Sequence, residues 1–308
     1  MGIKSSKYFD ILEAKKAFKE GKNVTNYLRD QKNVDINTPE IIETSYDLQS
    51  GSYIDFVKKN SDQTELYTRE LSSILSNFIS KETRFLDIGS GELTTLSYVL
   101  NYLKDIPKIT YAFDISWSRL FKGTGFAKDI LGNSSKSIMP FVAKISEIPL
   151  PNKSIDITTS SHALEPNGGN LEELLKELFR VTKDKLVLFE PCYEINSDEG
   201  KKRMDSLGYI KNLHIEVEKL GGHLVERLDI KNNENPLNPT SCFIIEPSKV
   251  DLASDINDSQ LICEPLTYHE LKKIENFLYS EKTGLSYPVI KSIPILRSDC
   301  CVLTTALS

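Results

Sequence analysis

Histidine and tryptophan are scarce in this chain, with 4 and 1 among 308 residues. The five cysteines (Cys192, Cys242, Cys263, Cys300 and Cys301) are odd in number and scattered. None forms a C-x-x-C pair, which excludes an encoded zinc ribbon or thioredoxin-like redox motif and suits reduced thiols. No apolar run approaches the roughly 18–20 residues of a membrane span. The opening stretch, Met1 to Lys22, is charged throughout and lacks the apolar segment of a signal peptide, so a cytoplasmic location is expected. A basic excess is missing as well: 38 Lys+Arg face 44 Asp+Glu, a net charge of −6, which opposes phosphate-dominated binding to nucleic acid. What is present is ordinary core material. Apolar residues make up 39%, with 13 Tyr and 13 Phe, which excludes a disordered or fibrous chain. The length suits one large α/β domain with additions, or two unequal domains.

Residues 1–80 read as mostly helical, with apolar residues at helical spacing over Asp10–Glu20, Val24–Asp30 and Thr64–Ile79. From residue 81 the pattern changes. Short apolar runs predict strands at Arg84–Ile88, Ile109–Phe113, Ile138–Val142, Ile155–Ser160, Lys185–Glu190, Leu224–Ile230 and Ser241–Glu246. Helices are predicted over Leu93–Leu103, Trp117–Leu131, Leu171–Val181 and Lys201–Leu220. This alternation implies a Rossmann-like α/β fold over residues 81–247, a seven-stranded sheet with helices on both faces. The last two strands, joined by a short polar connection, are expected to pair antiparallel at the sheet edge. Residues 248–260 are polar and read as a linker, and 261–308 as a small β unit.

The sharpest local signal is Phe85-Leu86-Asp87-Ile88-Gly89-Ser90-Gly91-Glu92. An apolar strand runs into a Gly-x-Gly turn before a helix, where backbone N–H groups and the helix start favour a negative ligand group. Thr94 stands where the dinucleotide fingerprint requires its third glycine, so that fingerprint fails. Asp114 closes the next strand, where a carboxylate can accept both ribose hydroxyls.

On these residues the chain resembles the class I S-adenosylmethionine-dependent methyltransferases. The resemblance extends through Ile148–Asp156, Ser160–Glu165 and Glu177–Val181, and covers roughly residues 83 to 246. It implies S-adenosyl-L-methionine as cofactor, with Asp87, Gly89 and Gly91 cradling its methionine end and Asp114 holding the ribose. Relatives often place an acid near the adenine amino group. Here Lys144-Ile145-Ser146 stands there, so adenine falls to Ile145 and Ser146. Ser160 is expected to join the cofactor site.

Methyl transfer to a hydroxyl needs an aligned acceptor and a proton acceptor, placed at the carboxyl end of the parallel strands. His162, just past the fourth strand, is the candidate base, or else it shapes the cofactor pocket; Glu165 would orient it. Glu190 and Tyr193, following the fifth strand, are expected to line the acceptor site. The turn-rich stretch Tyr46–Tyr53 resembles a lid, making Tyr46, Gln49 and Tyr53 candidate substrate contacts. No carboxylate cluster points to a metal.

The segments Cys263–Leu266 and Gly284–Leu296 resemble the zinc-ribbon-like module of the methyltransferase activator Trm112. Only Cys263 would survive of its paired ligands, which implies a metal-free remnant that packs on the catalytic domain or joins two chains as a homodimer. The resemblance implies a methyltransferase for a small polar acceptor, more at oxygen than at nitrogen or carbon, with a sugar or sugar nucleotide of a surface polysaccharide leading. A natural-product, lipid or quinone methyltransferase and a non-catalytic cofactor-binding subunit stay open.

Overall fold

The computed structural model describes residues 11–233, 235–248 and 261–307. Five helices come first: α1 (Ile11–Lys19), α2 (Val24–Lys32), α3 (Pro39–Leu48), α4 (Ser52–Lys59) and α5 (Ser61–Leu75). Thr38 caps α3, its side chain accepting the Ile41 N–H, and Pro39 opens it where a missing N–H costs nothing. The expected turn-rich lid is therefore mostly helical. Tyr46 lies in the last turn of α3 and Tyr53 in the first turn of α4, with only Gln49–Gly51 between the helices.

The central sheet comprises β1 (Arg84–Ile88), β2 (Ile109–Asp114), β3 (Ile138–Val142), β4 (Ile155–Ser161), β5 (Thr182–Pro191), β6 (His223–Asp229) and β7 (Thr240–Glu246). Its order is β3-β2-β1-β4-β5-β7-β6. The first five strands are parallel and β7 runs antiparallel between β5 and β6. Helices α6 (Thr94–Tyr102), α7 (Trp117–Leu131), α8 (Leu171–Val181), α9 (Asp198–Leu207) and α10 (Leu213–Lys219) make the crossovers. Phe85, Leu86 and Ile88 in β1 are all fully buried, as a strand covered on both faces requires. Strand order reverses between β1 and β4, so a crevice opens beyond their carboxyl ends.

One long helix over Lys201–Leu220 does not form. Gly208 ends α9 in the left-handed region (φ 67°), its N–H returning to Asp205 and Met204 carbonyls, and α10 starts afresh.

The C-terminal unit holds β8 (Lys272–Ile274), β9 (Phe277–Tyr279), β10 (Leu285–Ile290), β11 (Ile293–Pro294) and β12 (Val302–Leu303). It covers the β3 edge: Ile295 bridges Val142 in parallel and the Leu296 N–H donates to the Val142 carbonyl at 2.8 Å. Leu271, Tyr287 and Leu296 share one core with Phe113, Phe141 and Leu150 of the main domain. The sole tryptophan, Trp117 at the start of α7, donates from Nε1 to the Ile290 carbonyl at 3.3 Å.

The buried centre of this unit is not Cys263 but its neighbour Glu264. That carboxylate is wholly buried and accepts from Thr267, Ser280 and Thr283 hydroxyls, with His269 and Tyr287 alongside. Cys263 is buried, and burial pushes its thiol up to about 12, so it stays protonated. Among the described residues no group of three or more His, Cys, Asp or Glu is placed to hold a metal. The expected linker lies outside the described residues from 249 to 260.

Candidate active site

The turn after β1 alternates left-handed positions, with Gly89 at φ 59°, Gly91 at 51° and Leu93 at 54°. A Cβ on Gly89 would come within 2.5 Å of the Ala163 Cβ, and one on Gly91 within 2.3 Å of Arg119 Nη2. Glycine is needed at both for the turn and for close approach. Asp114 ends β2 fully buried. Its Oδ2 accepts the Gly91 N–H at 2.9 Å and its Oδ1 the Ser116 N–H at 2.8 Å, leaving each oxygen a further lone pair.

Glu92, next in the turn, accepts the N–H groups of Gly51 (2.7 Å) and Ile54 (2.9 Å) and so caps α4. Asp47 accepts the Ser116 hydroxyl at 2.7 Å, joining the end of α3 to the start of α7. These contacts hold Tyr46 and Tyr53 beside the glycine turn.

The β4 loop forms the opposite wall. Burial pushes the Glu190 carboxyl up to about 7, against the donors that surround it. Its Oε1 accepts the Ser160 hydroxyl (2.6 Å) and the N–H groups of Ala163 and Leu164 (both 3.0 Å). Its Oε2 accepts the Glu165 N–H at 3.2 Å. Glu190 is thus the strut of the loop, not an acceptor contact. Within that loop His162 adopts φ 60°, in the left-handed region that histidine enters more readily than most side chains.

The His162 ring is held at both nitrogens: Nδ1 lies 2.7 Å from Glu165 Oε2, and Nε2 2.9 Å from Thr240 Oγ1. Asn238 donates to the same Glu165 oxygen at 3.2 Å. Burial works to lower the His162 pKa, but the Glu165 and Glu190 charges outweigh it and raise it above 6.5.

These walls enclose a cavity of about 410 Å³, within the range of small-molecule sites. Gly89, Asp114, Ile145, Ser146, His162 and Glu165 line it, and so do Tyr46 and Tyr53. Other expected contacts lie elsewhere. Asp87 and Ser160 face a small space on the far side of the sheet, against Leu71, Leu75 and Leu96. Burial pushes the Asp87 carboxyl up to about 7. Gln49 donates to the Ser45 carbonyl, and Tyr193 donates to Asp205 at 3.3 Å, both outside the cavity wall.

Several cavity residues lie outside the sequence-predicted set, and the charged one beside the glycine turn is Arg119, in the first turn of α7. A cation there opposes the helix dipole, which was the signal available. The glycine cradle, the acid beside it and this buried cation fit a nucleoside cofactor with a charged tail.

Residues 86–189 match the family model described as a methyltransferase domain. Among solved structures, a chain of the Haloferax volcanii complex containing the Trm112 methyltransferase activator is similar. The TM-score is 0.51 at 11% identity, covering 65% of this chain and 98% of that one. A SAM-dependent methyltransferase from Aquifex aeolicus gives 0.47 at 18% identity, covering 62% and 97%. The mitomycin 7-O-methyltransferase MmcR gives 0.48 at 11%, covering 61% and 54%. No curated protein sequence matches. The matched region carries the Gly-x-Gly turn, Asp114 and the β4 loop.

Proposed function

We propose that the protein methylates a hydroxyl of a small polar acceptor in the cytoplasm, with a sugar or sugar nucleotide of a surface polysaccharide as the leading class. The observation that carries this reading is the His162–Glu165 pair standing in the same cavity as Gly89 and Asp114. When bound, the cofactor supplies the electrophilic methyl group. Asp114 and the glycine turn hold its ribose and methionine ends, and Ile145 with Ser146 takes the adenine side. Glu165 accepts the Nδ1–H of His162, leaving Nε2 to take a proton. The acceptor hydroxyl would replace Thr240 at Nε2, with Glu165 stabilising the resulting imidazolium. Tyr46 and Tyr53 shield the site from water.

A polar groove of about 370 Å³, lined by Asp35, Asn37, Asp205 and Lys211, adjoins the cavity through Ile36, Pro166 and Asn167. The polarity of this groove supports a glycosyl acceptor. Ile36, Pro39 and Ile42 give the cover side an apolar strip, which favours a second reading, a natural-product, lipid or quinone acceptor. Screening sugar nucleotides against quinols and phenols for methyl acceptance tests the choice. Calorimetry should show S-adenosylmethionine binding that Asp114→Ala abolishes. His162→Ala should keep binding and lose about 10²–10⁴-fold in turnover; full activity in that variant would refute the base assignment, and no binding by folded protein would refute the enzyme reading.

A further inference from the structure

Arg119 is nine-tenths buried, yet its guanidinium makes no hydrogen bond among the described residues. Its Nε is sealed from solvent without a partner. Asp114 Oδ2 forms an ion pair with it at 3.6 Å from Nη1, beyond hydrogen-bond reach. Glu92, the other acid close by, is occupied in capping α4. Aromatic faces take the remaining space, with the Tyr53 and Tyr46 rings centred 4.8 and 5.0 Å from the guanidinium carbon.

A buried cation left in this state is costly unless something else satisfies it. Its position in the first turn of α7 adds repulsion from the helix dipole. Gly91 is the residue that makes room for it, since any Cβ there would collide with Nη2. Two features thus point the same way: a glycine that opens space, and a planar donor fork set into the cavity wall with an ion pair to Asp114 but no hydrogen-bond acceptor. Such a fork suits a bidentate oxyanion.

We propose that Arg119 is the receptor for an oxyanion, a carboxylate or phosphate, that the ligand carries into the cavity. Two ligands could bring one: the cofactor, through its methionine carboxylate, or an acidic acceptor. The first source rests on the cofactor reading above.

Calorimetry separates the sources. The probes are S-adenosylhomocysteine and its decarboxylated analogue, which keeps the amine, against wild type, Arg119→Met and Arg119→Lys. If the cofactor brings the oxyanion, wild type prefers S-adenosylhomocysteine by about 10- to 100-fold. Arg119→Met then brings the ratio near one while holding the analogue's affinity, and Arg119→Lys falls between. If the acceptor brings it, the ratio is the same in all three proteins, and inorganic phosphate binds S-adenosylhomocysteine-loaded wild type but not Arg119→Met. Phosphate binding that depends on Arg119 in a protein that takes neither nucleoside would uphold the receptor and refute the cofactor reading. Equal weakening of both nucleosides in Arg119→Met, or an unchanged ratio with unchanged phosphate binding, overturns the proposal.

Discussion

The β4 loop and the C-terminal unit are each organised round one wholly buried glutamate, and the two differ in what they hold. Glu190 accepts three backbone N–H groups and one hydroxyl, so it shapes the main chain that carries His162 and Glu165. Glu264 accepts from side chains, the hydroxyls of Thr267, Ser280 and Thr283 among them, and so ties two turns of a small sheet together. The first fixes the left-handed turn at His162, the residue proposed as base. The second stands where a small unit with little core of its own needs a cross-link. Their acidities diverge accordingly. Burial dominates at Glu190 and raises it to about 7. At Glu264 burial also pulls upward, but the hydroxyl donors outweigh it and lower the pKa.

Breaking Glu190 should do the most damage. Glu190→Ala leaves the loop N–H groups of Ala163, Leu164 and Glu165 without this acceptor. The expected cost is about 3–5 kcal/mol in unfolding free energy. Turnover should drop by at least about 10²-fold as the His162 geometry relaxes. Urea unfolding with a methyl-transfer assay checks both. A stable, active variant would deny the strut role.

Glu264→Ala should cost less, about 1–3 kcal/mol, and act locally. Because Trp117 bonds the Ile290 carbonyl, its fluorescence reports loosening of the C-terminal unit. Cofactor affinity should change by no more than about twofold if the two centres are independent. A larger change would show that the unit braces the cofactor wall through Lys144, whose ammonium lies 3.4 Å from Asp299.

The two glutamates also predict opposite pH responses. The raised Glu190 pKa means the folded state binds its proton more tightly, so stability rises as pH falls from about 7 towards the ordinary 4.5. The lowered Glu264 pKa gives stability that is full above 4.5 and is lost as pH falls through the folded value. Acidification to pH 5 should therefore slow hydrogen exchange at Ala163–Glu165 without moving Trp117 emission, and the emission should shift only at lower pH. Simultaneous changes would merge the two regions into one cooperative unit.

The smallest effect concerns metal. A unit tied by Glu264 should show no stoichiometric zinc, and chelator should leave its Tm unchanged; zinc at one per chain would replace the carboxylate account.

Local pattern carried far in this chain. Short apolar runs and the glycines at 89 and 91 are signals written over a few residues, and they located the seven strands and the left-handed turn after β1. Long-range pairing left no such trace. Glu92 meets Gly51 across 41 positions and His162 meets Thr240 across 78, so neither contact could be read from spacing. Gln49 and Tyr193 were reached by proximity in sequence, and the fold turns both away from the cavity.

The sequence by itself determined the layered α/β fold, the glycine turn after β1 and the acid that closes β2, because backbone conformation and periodic burial are local properties. Tertiary structure alone decided the rest. It placed Glu190 under a loop, made Glu264 rather than Cys263 the centre of the last unit, and left the buried Arg119 guanidinium without a hydrogen-bond partner. Burial and hydrogen-bond satisfaction depend on what arrives from distant segments, and that is settled only once the chain has closed around them.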